Sequence, residues 1–210
     1  FKESVSMVQN QNLKGTIFNN SQGIFEDIDY LIITPQFLIS QAERLADFHR
    51  NNSGLSVRVV TLEKIYQEFS SGKQDIAAIR NLIRYVYWNA SDSNKRVKYV
   101  NLFGDASYDY KNRLYNNTNI VPTFHGFNPF NTTINNISNM SLYSSFMSDD
   151  FYGLMDDNEG QMISSFDGID IAIGRMLVST TSQAKDIVDK IIDYHDDKSY
   201  GKWRNNYVIY

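Results

Sequence analysis

Arg96–Arg113 reads RVKYVNLFGDASYDYKNR, and this stretch decides how the rest of the chain is interpreted. Its apolar half stops at Gly104 and Asp105, and a polar, aromatic loop follows. A short apolar run that ends at a turn is typical of a buried parallel strand, which delivers the next loop to the carboxyl edge of its sheet. Because ligands of open α/β sheets bind at that edge, we expect functional residues near Asp105.

The composition favours a globular domain and excludes several kinds of function. The chain has 210 residues, of which 42% are hydrophobic, and its net charge is −4. This charge argues against nucleic acid as a partner. No cysteine is present, which rules out disulfides, thiolate zinc sites and a cysteine nucleophile within these residues. No apolar run approaches the ~18 residues that a membrane-spanning helix needs.

Hydrophobic periodicity predicts a doubly wound α/β fold. The first half of the chain reads as β-α-β-α-α-β with short links, which indicates three α-β-α layers around a mainly parallel sheet with flavodoxin-like winding. We expect Thr61 and Asp75 to cap the second and third helices. The predicted strands are 29–34, 55–60, 97–103 and 170–175, and the predicted helices are 37–50, 62–69, 76–88 and 182–195.

Composition also suggests how the chain is divided. Residues 1–27 are polar and read as a lead-in from a preceding domain, whereas 28–205 carry the α/β pattern. Within that domain, 106–147 show no periodicity, and we expect a long loop that is either a functional surface insertion or disordered. Residues 206–210 read as the start of a further unit with a truncated strand.

Two acidic features are candidate cation ligands. Asp105 stands at a strand end, where a carboxylate either binds a metal or, as the local sequence favours, caps its own turn. Asp156–Glu159 places four oxygen-bearing side chains in one turn, which suits Ca²⁺ better than Mg²⁺ or zinc. The turn lacks the ligand spacing of an EF-hand, and a solvated hairpin turn is an equal alternative.

The three histidines give little support to catalysis within the chain. His49 and His195 fall on predicted helices and read as packed or surface residues. His125 lies in the long loop and is the only one placed like a catalytic group. A nucleophile–histidine pair nevertheless has little support, because the chain has neither a cysteine nor a G-x-S-x-G elbow.

Five segments together resemble the gingipain family of caspase-like cysteine peptidases, and within it the sortases of type IX secretion. The likeness covers about residues 28–210. The segments are DYLIIT at 29–34, NLFGDASYDYKNR at 101–113, VPT at 121–123, SDDFYGLMDDNEG at 148–160 and DIAIGR at 170–175.

The resemblance implies that 28–205 form the first of two α/β subdomains of a catalytic domain. In this family the second subdomain carries the cysteine and histidine dyad, and none of the three histidines here matches the family's catalytic one. We therefore assign no catalytic residue and expect the isolated chain to be inactive. The resemblance also implies structural calcium held by Asp105 and, in the acidic turn, by Asp157 and Glu159.

The family likeness further implies a role at the bacterial cell surface, on the extracellular side of the outer membrane. The complete enzyme would process C-terminal sorting domains of type IX secretion cargo. Its expected partners are the second catalytic subdomain, the cargo C-terminal domain and outer-membrane secretion components such as a PorV-like shuttle. The alternative is a non-catalytic α/β module that uses the acidic turn as a calcium-dependent contact surface.

Overall fold

The computed structural model describes residues 25–127, 145–160, 162 and 168–206. The strands are β1 Tyr30–Thr34, β2 Val57–Thr61, β3 Tyr99–Phe103, β4 Phe124–Phe127, β5 Ser145–Ser148 and β6 Ala172–Met176. The helices are α1 Ile39–Asn52, α2 Leu62–Phe69, α3 Ile76–Trp88 and α4 Thr181–His195.

The main sheet has four parallel strands in the order β2-β1-β3-β6. The connection from β1 to β2 runs one way across the sheet through α1, and the connection from β2 to β3 runs the other way through α2 and α3. Because these connections also cover opposite faces, the two crossovers share one hand. The predicted α/β fold with a parallel sheet between two helical layers is confirmed.

Alternation along the strands divides the core between the two faces. Ile32 of β1 and Phe103 of β3 pack with the apolar residues of α1 and α4. Their neighbours Ile33 and Leu102 pack with α2 and α3 on the opposite face. Both faces of these strands are therefore buried, which explains why β1 and β3 read as continuous apolar runs. In the described part of the chain, no helix combines the length and apolarity that crossing a membrane requires.

The two predicted helix caps have different outcomes. Asp75 caps α3, because its side chain accepts a hydrogen bond of 2.8 Å from the Ala77 N–H. Thr61 occupies the N-cap position of α2, but its side chain makes no capping hydrogen bond. Thr61 is also the last residue of β2, paired with Thr34, and its side chain is buried. The prediction was wrong because the strand, rather than the helix, sets the direction of this side chain.

Parts of the predicted long loop at 106–147 are held by contacts that produce no periodic pattern in the sequence. The buried Asp109 carboxylate accepts a 2.6 Å hydrogen bond from Leu114 N–H, and Asn117 Nδ2 donates to Asp109 O at 2.8 Å. Further on, β4 and β5 pair as an antiparallel ribbon. A structureless loop is therefore the wrong description for both ends of this stretch. Residues 128–144 lie outside the described residues.

Most of the predicted lead-in at 1–27 also lies outside the described residues, as do residues 207–210 of the predicted further unit. The other element boundaries move by only a few residues. The first helix is preceded by a 3-10 turn at Gln36–Leu38, and α4 begins at Thr181 behind a capping box of Thr180 and Gln183. Such shifts are usual, because element ends depend on individual hydrogen bonds.

Candidate functional site

The carboxyl ends of three strands are joined by hydrogen bonds at the edge where we expected functional residues. Thr34, which ends β1, donates its hydroxyl to Phe103 O of β3 at 3.3 Å. Beyond β3, Asp105 N–H donates to Val178 O at 2.9 Å, which ties this segment to the exit of β6. Asp105 O in turn accepts from Ile120 N–H at 3.0 Å, so the returning loop is held there as well.

The Asp105 side chain is engaged in local contacts. Its Oδ1 accepts from Ala106 N–H at 2.8 Å, which is the turn-capping contact that the sequence favoured. Its Oδ2 accepts from the Ser179 hydroxyl at 3.3 Å, just before α4. Gly104 beside it allows a close approach, because a Cβ there would lie 2.7 Å from the Val121 side chain. Asp105 thus forms a structural corner between β3, the returning loop and α4.

The centre of the edge is a two-point ion pair between Arg175 of β6 and Asp149. Arg175 Nε and Nη2 donate to the two carboxylate oxygens of Asp149, each at 2.7 Å. Arg175 Nη1 donates to Gly104 O at 2.8 Å and to Val121 O at 2.7 Å. The Arg175 side chain is only 9% exposed. Bidentate pairs with this geometry are the strong ones, so Arg175 fixes three chain segments to the end of the sheet.

Two further hydrogen bonds surround this pair. Thr123 donates its hydroxyl to Asp149 Oδ1 at 2.8 Å. Tyr152 is fully buried, and its hydroxyl donates to Pro122 O at 2.6 Å. Burial raises the pKa of Tyr152 above its ordinary value, so the phenol stays protonated and remains a donor. The segment at 121–123 is therefore held from both sides.

The acidic turn lies against α3 rather than at this centre. Asp157 forms an ion pair with Arg84 of α3. Glu159 Oε2 accepts from Asp156 N–H within the turn at 3.0 Å. Arg80 of α3 donates to Glu159 O at 3.1 Å. The turn is thus fixed by arginines of the neighbouring helix.

The structure does not bring the three predicted calcium ligands together as one group. Asp157 and Glu159 share a turn, whereas the side-chain contacts of Asp105 are to Ala106 and Ser179. Among the described residues, no three His, Cys, Asp or Glu side chains lie close enough to hold a metal ion. Calcium takes six to eight oxygen ligands, so a site of this kind would need ligands besides these three side chains. Calcium binding by these residues stays a prediction.

His125, the only histidine that the sequence placed like a catalytic group, lies in β4. Its ring packs edge-on against Tyr110, with 5.9 Å between the ring centroids. Its Nε2 is buried and has no hydrogen-bond partner among the described residues. His49 bonds to Ser53 and His195 packs on Phe48, as expected for helix residues. The described contacts therefore pair none of the three histidines with an activated nucleophile.

Sequence reasoning missed the Arg175–Asp149 pair. It placed Asp149 next to the acidic turn and Arg175 at the end of a strand, without connecting the two. A signal was present, because a lone arginine at the end of an apolar strand is rarely buried unless an acid pairs with it. The sequence could not identify the partner, which lies 26 residues away.

The comparisons with known proteins agree with this architecture. The solved structure of dimeric latent PorU from Porphyromonas gingivalis is similar to this chain, with a TM-score of 0.69 and 29% identity. The match covers 87% of this chain and 17% of the PorU chain. No curated protein matches. The model of peptidase family C25 matches residues 24–210. Because the family match covers most of the chain, the chain belongs to peptidase family C25, the gingipain family.

Proposed function

We propose that the chain is the first subdomain of the catalytic domain of a gingipain-like cysteine endopeptidase or sortase, and that it lacks the catalytic dyad. The observation that carries this proposal is membership of a cysteine-peptidase family by a chain that contains no cysteine. In the complete enzyme, a cysteine thiolate attacks the peptide carbonyl and a histidine transfers protons. Both groups would come from the second subdomain.

The contribution of this chain is a rigid wall on one side of the cleft. Its carboxyl edge is fixed by the Arg175–Asp149 pair and by the Tyr152 hydrogen bond to Pro122. A wall held by buried hydrogen bonds loses little conformational entropy when substrate binds, which keeps the scissile bond close to a nucleophile on the facing subdomain. We assign Arg175 a positioning role and no chemical step.

The similarity to PorU supports a more specific role, in which the enzyme removes C-terminal sorting domains from type IX secretion cargo at the bacterial cell surface. The partners would then be the second catalytic subdomain, the cargo C-terminal domain and outer-membrane components such as a PorV-like shuttle. The chain spans 17% of the PorU chain, so most of such an enzyme lies beyond the matched region.

Cleavage of a cargo C-terminal peptide by the longer protein tests this function. The chain is produced together with the second subdomain, and peptide products are identified by mass spectrometry. We expect cleavage that is lost when the cysteine of the second subdomain is replaced by alanine. Cleavage that persists in that variant would contradict a cysteine-dependent mechanism.

The alternative function, a non-catalytic calcium-dependent module, has no specific contact in its favour. Its contact surface would be the acidic turn, yet Asp157 pairs with Arg84 and Glu159 bonds to the backbone of its own turn. These contacts make the turn a support for α3. We therefore propose the peptidase role alone.

A further inference from the structure

A groove of about 620 Å³ lies along β6 and over the first residues of β1 and β3. Its floor contains Asn101 of β3 together with Ala172 and Gly174 of β6. Tyr30 and Tyr99, the first residues of β1 and β3, form aromatic walls. Ala172 and Gly174 are exposed. This part of the sheet is therefore open, although its sequence is typical of a buried strand.

Asn101 lines this groove, and its side chain has one unsatisfied polar atom. The side chain is only 5% exposed, and its Nδ2 donates to the Tyr30 hydroxyl at 2.9 Å. Its Oδ1 is buried and has no hydrogen-bond partner among the described residues. Turning the amide over would leave Nδ2 unsatisfied instead, so either orientation leaves one polar atom without a partner. Because buried polar atoms are normally paired, the groove is suited to an occupant that supplies one hydrogen bond.

Neither the backbone conformation nor a close contact in the described structure requires a glycine at position 174. Its φ is not positive, and a Cβ at this position would meet no described atom within 4 Å. Glycine weakens a strand interior, and there it often marks a place where another backbone or a ligand approaches closely. Together with Ala172, it leaves a shallow floor that lets an outside segment reach the sheet.

The groove offers no free charge to an occupant. Among its lining residues, the guanidinium of Arg175 is bound to Asp149. Burial lowers the pKa of His49 on the rim, and the nearby His195 lowers it further, so His49 is neutral at pH 7. The other lining residues carry no charge, and they are Tyr30, Ser53, Leu55, Tyr99, Val100, Asn101, Ala172, Ile173, Gly174 and Met176. The matching occupant is therefore uncharged and largely apolar, with a single polar group.

We propose that this groove is the docking surface for the dyad-bearing remainder of the same peptidase, which inserts an apolar segment with one side chain hydrogen-bonded to Asn101. This inference rests on the proposed function. The segment that occupies the groove would come from the rest of the enzyme, because this chain matches only 17% of the PorU chain. A free small molecule fits less well, since open α/β sheets bind such ligands beyond the carboxyl ends of their strands, whereas this groove lies along β6 and the first residues of β1 and β3.

The absence of cysteine from the chain allows a direct test by thiol labelling. Ala172→Cys and Gly174→Cys each place a thiol in the groove, and Lys73→Cys, in the exposed turn between α2 and α3, is the matched control. Each variant is made in the 210-residue chain and in the longer protein with the second subdomain. Reaction with a maleimide is followed at the labelled peptide by mass spectrometry, which separates these thiols from the catalytic cysteine.

We expect the thiols at 172 and 174 to react at least about tenfold more slowly in the longer protein than in the 210-residue chain or in denaturant. The control thiol at 73 should react at the same rate in the longer protein and the chain. Equal rates for the groove thiols in both proteins would overturn the proposal. So would protection already present in the 210-residue chain, or protection that rises with protein concentration, which would indicate a second copy.

A second variant tests the contact with Asn101. Asn101→Leu removes the unsatisfied amide, so we expect the Tm of the 210-residue chain to stay the same or rise. In the longer protein, the same change would leave the polar group of the inserted segment without a hydrogen-bond partner, so the Tm would fall. A Tm that changes equally in both proteins would contradict the contact.

The docking surface and the enzymatic function can fail separately. If the longer protein cleaves the peptide while its groove thiols remain reactive, the enzymatic function is supported and the docking surface is contradicted. If the thiols are protected and no peptide is cleaved, the docking surface is supported and the enzymatic function is contradicted.

Discussion

Arg175 joins chain segments that lie far apart in sequence, and its side chain is almost fully buried. Arg175→Gln removes the bidentate contact with Asp149 and the bonds to Gly104 O and Val121 O. Because this leaves the Asp149 carboxylate without its main partner, we expect the free energy of unfolding to fall by about 3–5 kcal/mol. Urea unfolding followed by circular dichroism measures the change.

An exposed arginine provides the control for that substitution. Arg58 is 3.8 Å from Glu26, and both side chains are more than a third exposed. Arg58→Gln should therefore change the free energy of unfolding by less than about 1 kcal/mol. Equal losses for the two variants would show that the Arg175 network contributes no more than a surface pair.

Glu68 of α2 gives a pH-dependent prediction at the same scale. Burial raises the pKa of Glu68 from 4.5 to about 7, with a smaller opposing effect from Lys64. With respect to Glu68, the free energy of unfolding is therefore highest below pH 4.5 and falls as the pH rises through about 7. Glu68→Gln removes the buried charge, so its Tm should exceed that of the parent at pH 8 and equal it near pH 4.5. A Tm difference that does not vary with pH would contradict this assignment.

At the scale of elements, two threonines at helix starts differ in what they contribute. Thr180 caps α4, accepting from the Gln183 N–H at 3.2 Å, whereas Thr61 makes no capping bond to α2. We expect Thr180→Val to lower the free energy of unfolding by about 1 kcal/mol. Thr61→Val should be neutral or stabilising, because the Thr61 hydroxyl is buried without a partner among the described residues. Equal effects of the two substitutions in thermal melts would contradict the assigned caps.

Periodicity was enough to predict the elements that are held by local pattern. Helices α2 and α3 were predicted with their observed bounds, because their apolar faces repeat at helical spacing. The β4–β5 ribbon was missed because it depends on pairs such as Phe124 with Ser148, which lie far apart in the chain. The sequence did not predict the Arg175–Asp149 pair for the same reason, because a contact between distant residues produces no periodic pattern.

At the scale of the whole molecule, the carboxyl edge is held together by hydrogen bonds among its own residues. Asp105, which the sequence singled out, forms a corner with Ala106 and Ser179. Arg175 and Asp149 are paired with each other, and the described contacts of His125 include no nucleophile. We propose that the cysteine and the histidine of the complete enzyme belong to another subdomain.

Calcium binding is a further prediction for the molecule as a whole. If Asp105, Asp157 and Glu159 hold calcium, the Tm of the parent should rise when calcium is added, and this rise should be smaller for Asp105→Ala. Thermal melts with calcium and with a chelator measure the difference. Asp47→Ala, on the exposed side of α1, is the control for loss of a surface carboxylate. The same calcium response in the parent and in Asp105→Ala would remove Asp105 from the site.

We propose that the reactive groups of the complete peptidase lie outside this chain. The most direct test is the incubation of the purified 210-residue chain with a cargo C-terminal peptide, beside the longer protein as a positive control. We expect cleavage by the longer protein and none by the chain alone. Cleavage by the chain alone that survives His125→Ala would contradict both the absence of a dyad and the assignment of roles between the two subdomains.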